Sequence, residues 1–139
     1  MKYNRFGESI IARLEVGEEI LAALAELAER EGVTLAEISG IGAVGELAVS
    51  VYDVRAKRYF DNTFAEPMEI VSLLGTVTEK DGKPYLHLHI SAGRADGSVV
   101  GGHLKRAVVS ATCELVLHTA FGKIGRFYDP ETGLNLMDL

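Results

Sequence analysis

The sequence predicts an α+β fold: a mainly antiparallel β-sheet with one principal helix over about residues 18–31. Three observations carry this expectation. Only one stretch repeats its apolar residues at helical spacing. The other apolar stretches are short and separated by turn residues, as in antiparallel sheets. Glycine supplies 15 of the 139 residues, about 11% against a typical ~7%, and that excess calls for many tight turns.

The first predicted strand runs from Phe6 to Leu14 and ends at Val16-Gly17. From Glu18 to Glu31, Ile20, Leu21, Leu24, Leu27 and Ala28 recur on one helical face. Glu18 and Glu19 suit the positive end of the helix dipole, and Gly32 is a C-terminal stop. Leu35–Gly42 and Glu46–Asp53 are read as two strands, with Lys57–Phe60 as hairpin partner of the second. Met68–Glu79 and Tyr85–Ala92 flank Lys80-Asp81-Gly82-Lys83, whose Asp-Gly pair marks a hairpin. Val108–Thr119 is the last long strand, and residues 129–133 turn between two short extended pieces. Met68–Thr76 reads as continuously apolar, hence buried on both faces. One helix cannot cover a second face, so a partner subunit is expected there.

The length fits one domain, residues 1–139, able to bury a core without disulfides. A net charge of −6 opposes solitary DNA binding, which draws its affinity from phosphate neutralisation. Arg55, Lys57 and Arg58, and separately Lys105 and Arg106, read as solvated loop groups. The single cysteine, Cys113, sits in an apolar run and reads as a buried structural thiol. Without a leader-like or membrane-spanning apolar run, the expected location is cytoplasmic, with no membrane partner.

His87-Leu88-His89 carries the chemistry. Alternate side chains of a strand share a face, so Leu86, Leu88 and Ile90 face the core while His87, His89 and Ser91 face away. Gly101-Gly102-His103 follows, two glycines that permit a close return of the chain and a third imidazole. Three imidazoles leave one position open on a tetrahedral zinc. The plain alternative is that the pair is hydrogen-bonded at the surface or an interface. Glu114, a carboxylate inside an apolar strand, is read as a salt-bridge or imidazole-orienting partner, or as a base toward metal-bound water. His118 is read as structural.

These residues also carry a resemblance. Gly40-Ile41-Gly42-Ala43-Val44, Leu86-His87-Leu88-His89-Ile90, Asp96-Gly97 and Gly101-Gly102-His103-Leu104 resemble the plant-and-prokaryote-conserved (PPC) domain. The tail, with Arg126-Phe127-Tyr128-Asp129 and Thr132-Gly133-Leu134, continues the match over nearly the whole chain. The resemblance implies a homotrimer and a metal, zinc, at His87, His89 and His103. In plant members an adjacent AT-hook binds DNA, and this sequence has no such hook. Against the plant partner-contact segment, residues 66–71 agree only at Glu69 and Ile70.

The leading expectation is a homotrimeric, non-enzymatic binding or regulatory module, DNA-associated through its family. Its three-histidine metal would take a small anionic ligand. The alternative is a zinc-dependent hydrolase or lyase acting on a small anionic metabolite, with Arg94 binding the anion and Glu114 moving the proton. DNA binding by the assembled trimer is a third reading.

Overall fold

The computed structural model describes residues 1–139 and contains nine strands and one helix. In chain order these are β1 (Lys2–Phe6), β2 (Ser9–Glu15), α1 (Ile20–Arg30), β3 (Ala36–Asp53), β4 (Arg58–Phe64), β5 (Met68–Lys80), β6 (Lys83–Gly93), β7 (Val99–Thr119), β8 (Gly125–Asp129) and β9 (Leu134–Asp138). Seven strands form an antiparallel sheet ordered β1-β2-β7-β6-β5-β3-β4, and β3 also pairs with β7. The pairing therefore closes a circuit through β3, β5, β6 and β7. Strands β8 and β9 make a separate hairpin. The expected α+β class, mainly antiparallel with a single helix, is the observed one.

The helix is shorter than the predicted span by two residues at the start and one at the end. Glu19 is its N-cap, accepting from the backbone N–H groups of Leu21 and Ala22. The same carboxylate accepts from Ala107 N–H at 3.1 Å, so the cap also ties the helix to β7. Glu18 lies outside the helix, holding the N-terminal ammonium and the Glu15 N–H. At the other end, Val33 N–H donates to Ala28 O and Gly32 N–H to Glu29 O. With Gly32 at φ +62°, these are the two bonds of a Schellman stop. Ile20, Ala23, Leu24, Leu27 and Ala28 are buried, facing β6 and β7 within one 27-residue apolar core.

Several strands differ from the expected ones. The first strand is a hairpin, β1–β2, since Gly7 at φ +60° reverses the chain where a single strand was expected. The two stretches around Gly42–Gly45 join as one 18-residue β3, because β-bulges between Gly42 and Glu46 absorb the break without ending the pairing. Strand β7 begins nine residues before the expected start. The β5–β6 hairpin matches its prediction, with Asp81 and Gly82 both at positive φ as a tight two-residue turn requires.

Strand β5 is not uniformly apolar. Glu69 and Ser72 interrupt the run, and Met68, Ile70 and Leu73 are buried while Val71 and Leu74 are 59% and 53% exposed. One face of β5 belongs to the core. The other is covered at its far end by the β8–β9 hairpin: Ile124 O accepts from Glu79 N–H, and Arg126 Nε donates to Thr78 Oγ1. Cys113 is fully buried, and burial pushes its thiol up to about 12. It is an inert part of the core, as expected.

Replacing Glu19 by Ala removes the acceptor for three backbone N–H groups. It is expected to lower the unfolding free energy by about 1–2 kcal/mol in urea titrations. An unchanged midpoint would show that water serves these donors equally well.

Candidate metal centre

The hydrogen-bond register between β6 and β7 builds the site. His89 stands directly opposite His103, and Ile90 opposite Gly102. His87 lies two residues back along β6 and shares the face of His89. Leu88 and Ile90 are buried on the core side, as parity predicts.

The two glycines before His103 are required by packing. A Cβ at Gly101 would collide with the Ile90 carbonyl, and one at Gly102 would lie 2.8 Å from the Ser50 carbonyl oxygen. Gly102 also adopts φ +154°. With no side chain at either position, β7 slides between β6 and β3, and His103 pairs with Ser50 on the other side.

The three imidazoles converge. Ring centroids are 5.3 Å apart for His87–His89, 5.2 Å for His87–His103 and 5.6 Å for His89–His103. One nitrogen from each ring lies within 4.8 Å of the others. Tetrahedral bonds of about 2.0–2.1 Å place ligand nitrogens roughly 3.3 Å apart, so small χ rotations suffice to close the set on an ion. Burial holds His103 down to about 4, with nearby His87, Lys105 and His89 adding to the effect. Burial likewise lowers His87, followed by the proximity of His89 and Arg126. Both rings are therefore neutral near pH 7, with a lone pair free. This donor set fits a transition metal that favours imidazole.

The histidines open onto a cavity of about 440 Å³. Ser50, Val51 and Tyr52 of β3, Tyr59 of β4 and Tyr85 of β6 contribute to its wall. The C-terminal hairpin closes it with Arg126 and Leu134–Met137. Tyr52 anchors that hairpin by donating to Thr132 O at 2.8 Å. Tyr59 packs 5.6 Å from the His103 ring, and burial raises its phenol, which stays protonated. No Asp or Glu lines the cavity.

Other residues singled out from the sequence lie elsewhere. Glu114 is exposed, opposite Arg13 and Ile41, eleven residues along β7 from His103. It borders a different surface hollow, beside Lys2 and Phe6. Arg94 follows β6 and is ion-paired with Glu66 at 2.9 Å, away from the cavity wall. The chain thus brings neither of the two proposed enzymatic groups to its own histidines. His118 shares a hydrogen bond of 3.0 Å with Ser9 at the surface. The cations near the histidines are instead Lys105, whose Nζ lies 4.0 Å over the Tyr59 ring, and, on the cavity wall itself, Arg126 of the tail motif. The signal of Arg126 in the sequence was its place after the last long strand, where a returning hairpin can reach the sheet.

This is a β-rich domain organised around a three-histidine cluster. It belongs to the Plants and Prokaryotes Conserved (PCC) domain family, whose match covers residues 1–121 and bears out the resemblance seen in the sequence. A Bacteroides thetaiotaomicron protein, provisionally named as DNA-binding, is 37% identical with a TM-score of 0.96, over 99% of this chain and 96% of that one. A metal-containing protein from Archaeoglobus fulgidus is 38% identical with a TM-score of 0.89, over 100% of both chains. A plant- and prokaryote-conserved protein from Pyrococcus horikoshii is 30% identical with a TM-score of 0.86, over 99% and 94%. Comparison with curated proteins gives no significant match.

The depressed His103 has a consequence for the metal-free protein. Its folded value of about 4 lies below the ordinary 6.5, so between these values the unfolded chain binds a proton that the folded chain does not. The stability from a neutral His103 is full above pH 6.5 and is lost as the pH falls towards 4. Chelator-treated wild type is expected to lose melting temperature across that window more steeply than His103→Gln. Parallel curves for the two proteins would contradict the assignment.

Proposed function

We propose that the protein is a homotrimeric, metal-holding binding module of the cytoplasm, with zinc held by His87, His89 and His103 and one coordination position left for a small anionic ligand. The convergence of three imidazole nitrogens within 4.8 Å carries this reading. Neutral nitrogen donors suit zinc among the common cellular ions, and three protein ligands leave the fourth position free. The metal-containing relative at 38% identity supports the same reading.

Trimer formation is supported by the uncovered apolar residues of the sheet. Val71 and Leu74 on β5 are more than half exposed, as is Ile41, which lies between residues paired with that strand. Leu74 stands opposite His89, so a covering subunit would lie near the histidines. The relative named as DNA-binding keeps regulation of DNA within reach of the family, but the −6 charge of this chain weighs against direct contact. No helix is long and apolar enough to cross a membrane. The cavity wall holds no carboxylate to serve as general base, which favours binding over a hydrolase or lyase.

Purified protein is expected to carry about one zinc per chain by elemental analysis, and His89→Ala to lose most of it. Equal metal in both would remove the site. Sedimentation at micromolar concentration should give a trimer, and a monomer would refute the assembly.

A further inference from the structure

One polar atom of a cavity-lining residue is buried without a partner. Arg126 donates from Nε to Thr78 Oγ1 at 2.9 Å and from Nη1 to Asn135 O at 3.1 Å, and its guanidinium lies 4.8 Å from the Tyr85 ring centroid. Its Nη2 is shielded from solvent and has no hydrogen-bond acceptor. A buried unserved donor on a full cation is costly, and proteins keep such groups mainly where something else binds. The other bonds fix the guanidinium, so Nη2 cannot swing out to water without breaking them.

The charge in the cavity points the same way. Three neutral imidazoles leave a bound divalent ion its full +2, Arg126 adds +1, and no lining carboxylate offsets either. A poorly solvated cluster of this kind attracts an anion strongly. The shape narrows the choice. Val51, Leu134, Leu136 and Met137 form an apolar wall, and the hydroxyls of Ser50 and Tyr52 are already committed to Asp61 and Thr132. A phosphate would bring four oxygens against a wall that is apolar along Val51, Leu134, Leu136 and Met137, with the Tyr59 and Tyr85 hydroxyls as its uncommitted hydroxyl donors. A carboxylate brings two oxygens, and metal and arginine offer two places.

We infer that the cavity binds a small monocarboxylate with a short apolar tail, its carboxylate held between the metal and the Arg126 guanidinium. The inference rests on the metal reading of the three histidines. The tail lies against Val51, Leu134, Leu136 and Met137. Arg126 is the positioning group that selects the charged head, a part that the sequence had suggested for Arg94.

Titration of the Co(II)-loaded protein with isobutyrate, its neutral isostere isobutyramide, and inorganic phosphate tests this, read from the visible cobalt bands and by calorimetry. Isobutyrate is expected to shift the bands and saturate, while the amide and phosphate bind at least about tenfold more weakly. Arg126→Gln should keep its cobalt but lose about tenfold or more in isobutyrate affinity, with Arg126→Lys in between. Should Arg126→Gln fail to fold, the wild-type contrast between acid and amide still decides. Failure to load cobalt overturns both the metal reading and this one. Normal loading with no isobutyrate response, equal binding of acid and amide, tighter binding of phosphate, or full affinity in folded Arg126→Gln overturns this inference alone.

Discussion

Close approach of β7 to two neighbours at once is the constraint on which the rest of the structure depends. The strand must pair with β6 through Val99–His103 and with β3 through His103–Thr119. At the handover its backbone lies against the Ile90 carbonyl on one side and the Ser50 carbonyl on the other. Only Gly101 and Gly102 fit there. The same handover closes the circuit of β3, β5, β6 and β7 and sets His103 opposite His89. Fold closure and histidine convergence are therefore one event, and a side chain at either glycine would disturb both.

Strand parity and turn chemistry made much of this legible. The alternation around Leu88 and Ile90 placed the histidine pair on the face away from the core without any knowledge of pairing. Asp81-Gly82 specified the β5–β6 hairpin, and Gly32 the helix stop. The joins were harder to read. Gly42 and Gly45 look like strand breakers, yet bulges absorb them within β3, because neighbouring strands on both sides supply the pairing a lone strand would lack. The run at Met68–Thr76 misled for a related reason: local apolarity does not reveal that Val71 and Leu74 face away from the core. Arg126 and Glu114 show the limit most clearly. Both are polar residues near apolar stretches, and only the path of the C-terminal hairpin decides which of them meets the histidines.

That hairpin also changes the electrostatics of the site. Without it, His87 and His103 would stand on an open sheet face in contact with water. With it, they share a partly enclosed cavity with a cation, and burial keeps both rings neutral. Neutral rings are ready to ligate a metal but bring it no compensating negative charge. Tyr59 cannot help, since its phenol is held protonated by the same burial. An acid-free donor set beside a fixed guanidinium leaves its excess positive charge to be answered by whatever enters the cavity.

The division between sheet and tail separates two sides of the cavity. The family match ends at residue 121, after all three histidines, while Arg126 and Leu134–Met137 lie beyond it. The histidines and the hairpin side of the wall therefore belong to different segments. Strand register and the two glycines fix where the three histidines stand. The hairpin is tied to the sheet by a few side-chain and backbone bonds, among them Tyr52 to Thr132 and Lys80 to Asn135. Its inward residues can vary with less effect on the core. The hairpin side of the wall, one arginine with Leu134, Leu136 and Met137, faces the histidines across the cavity and is the part that selects a carboxylate.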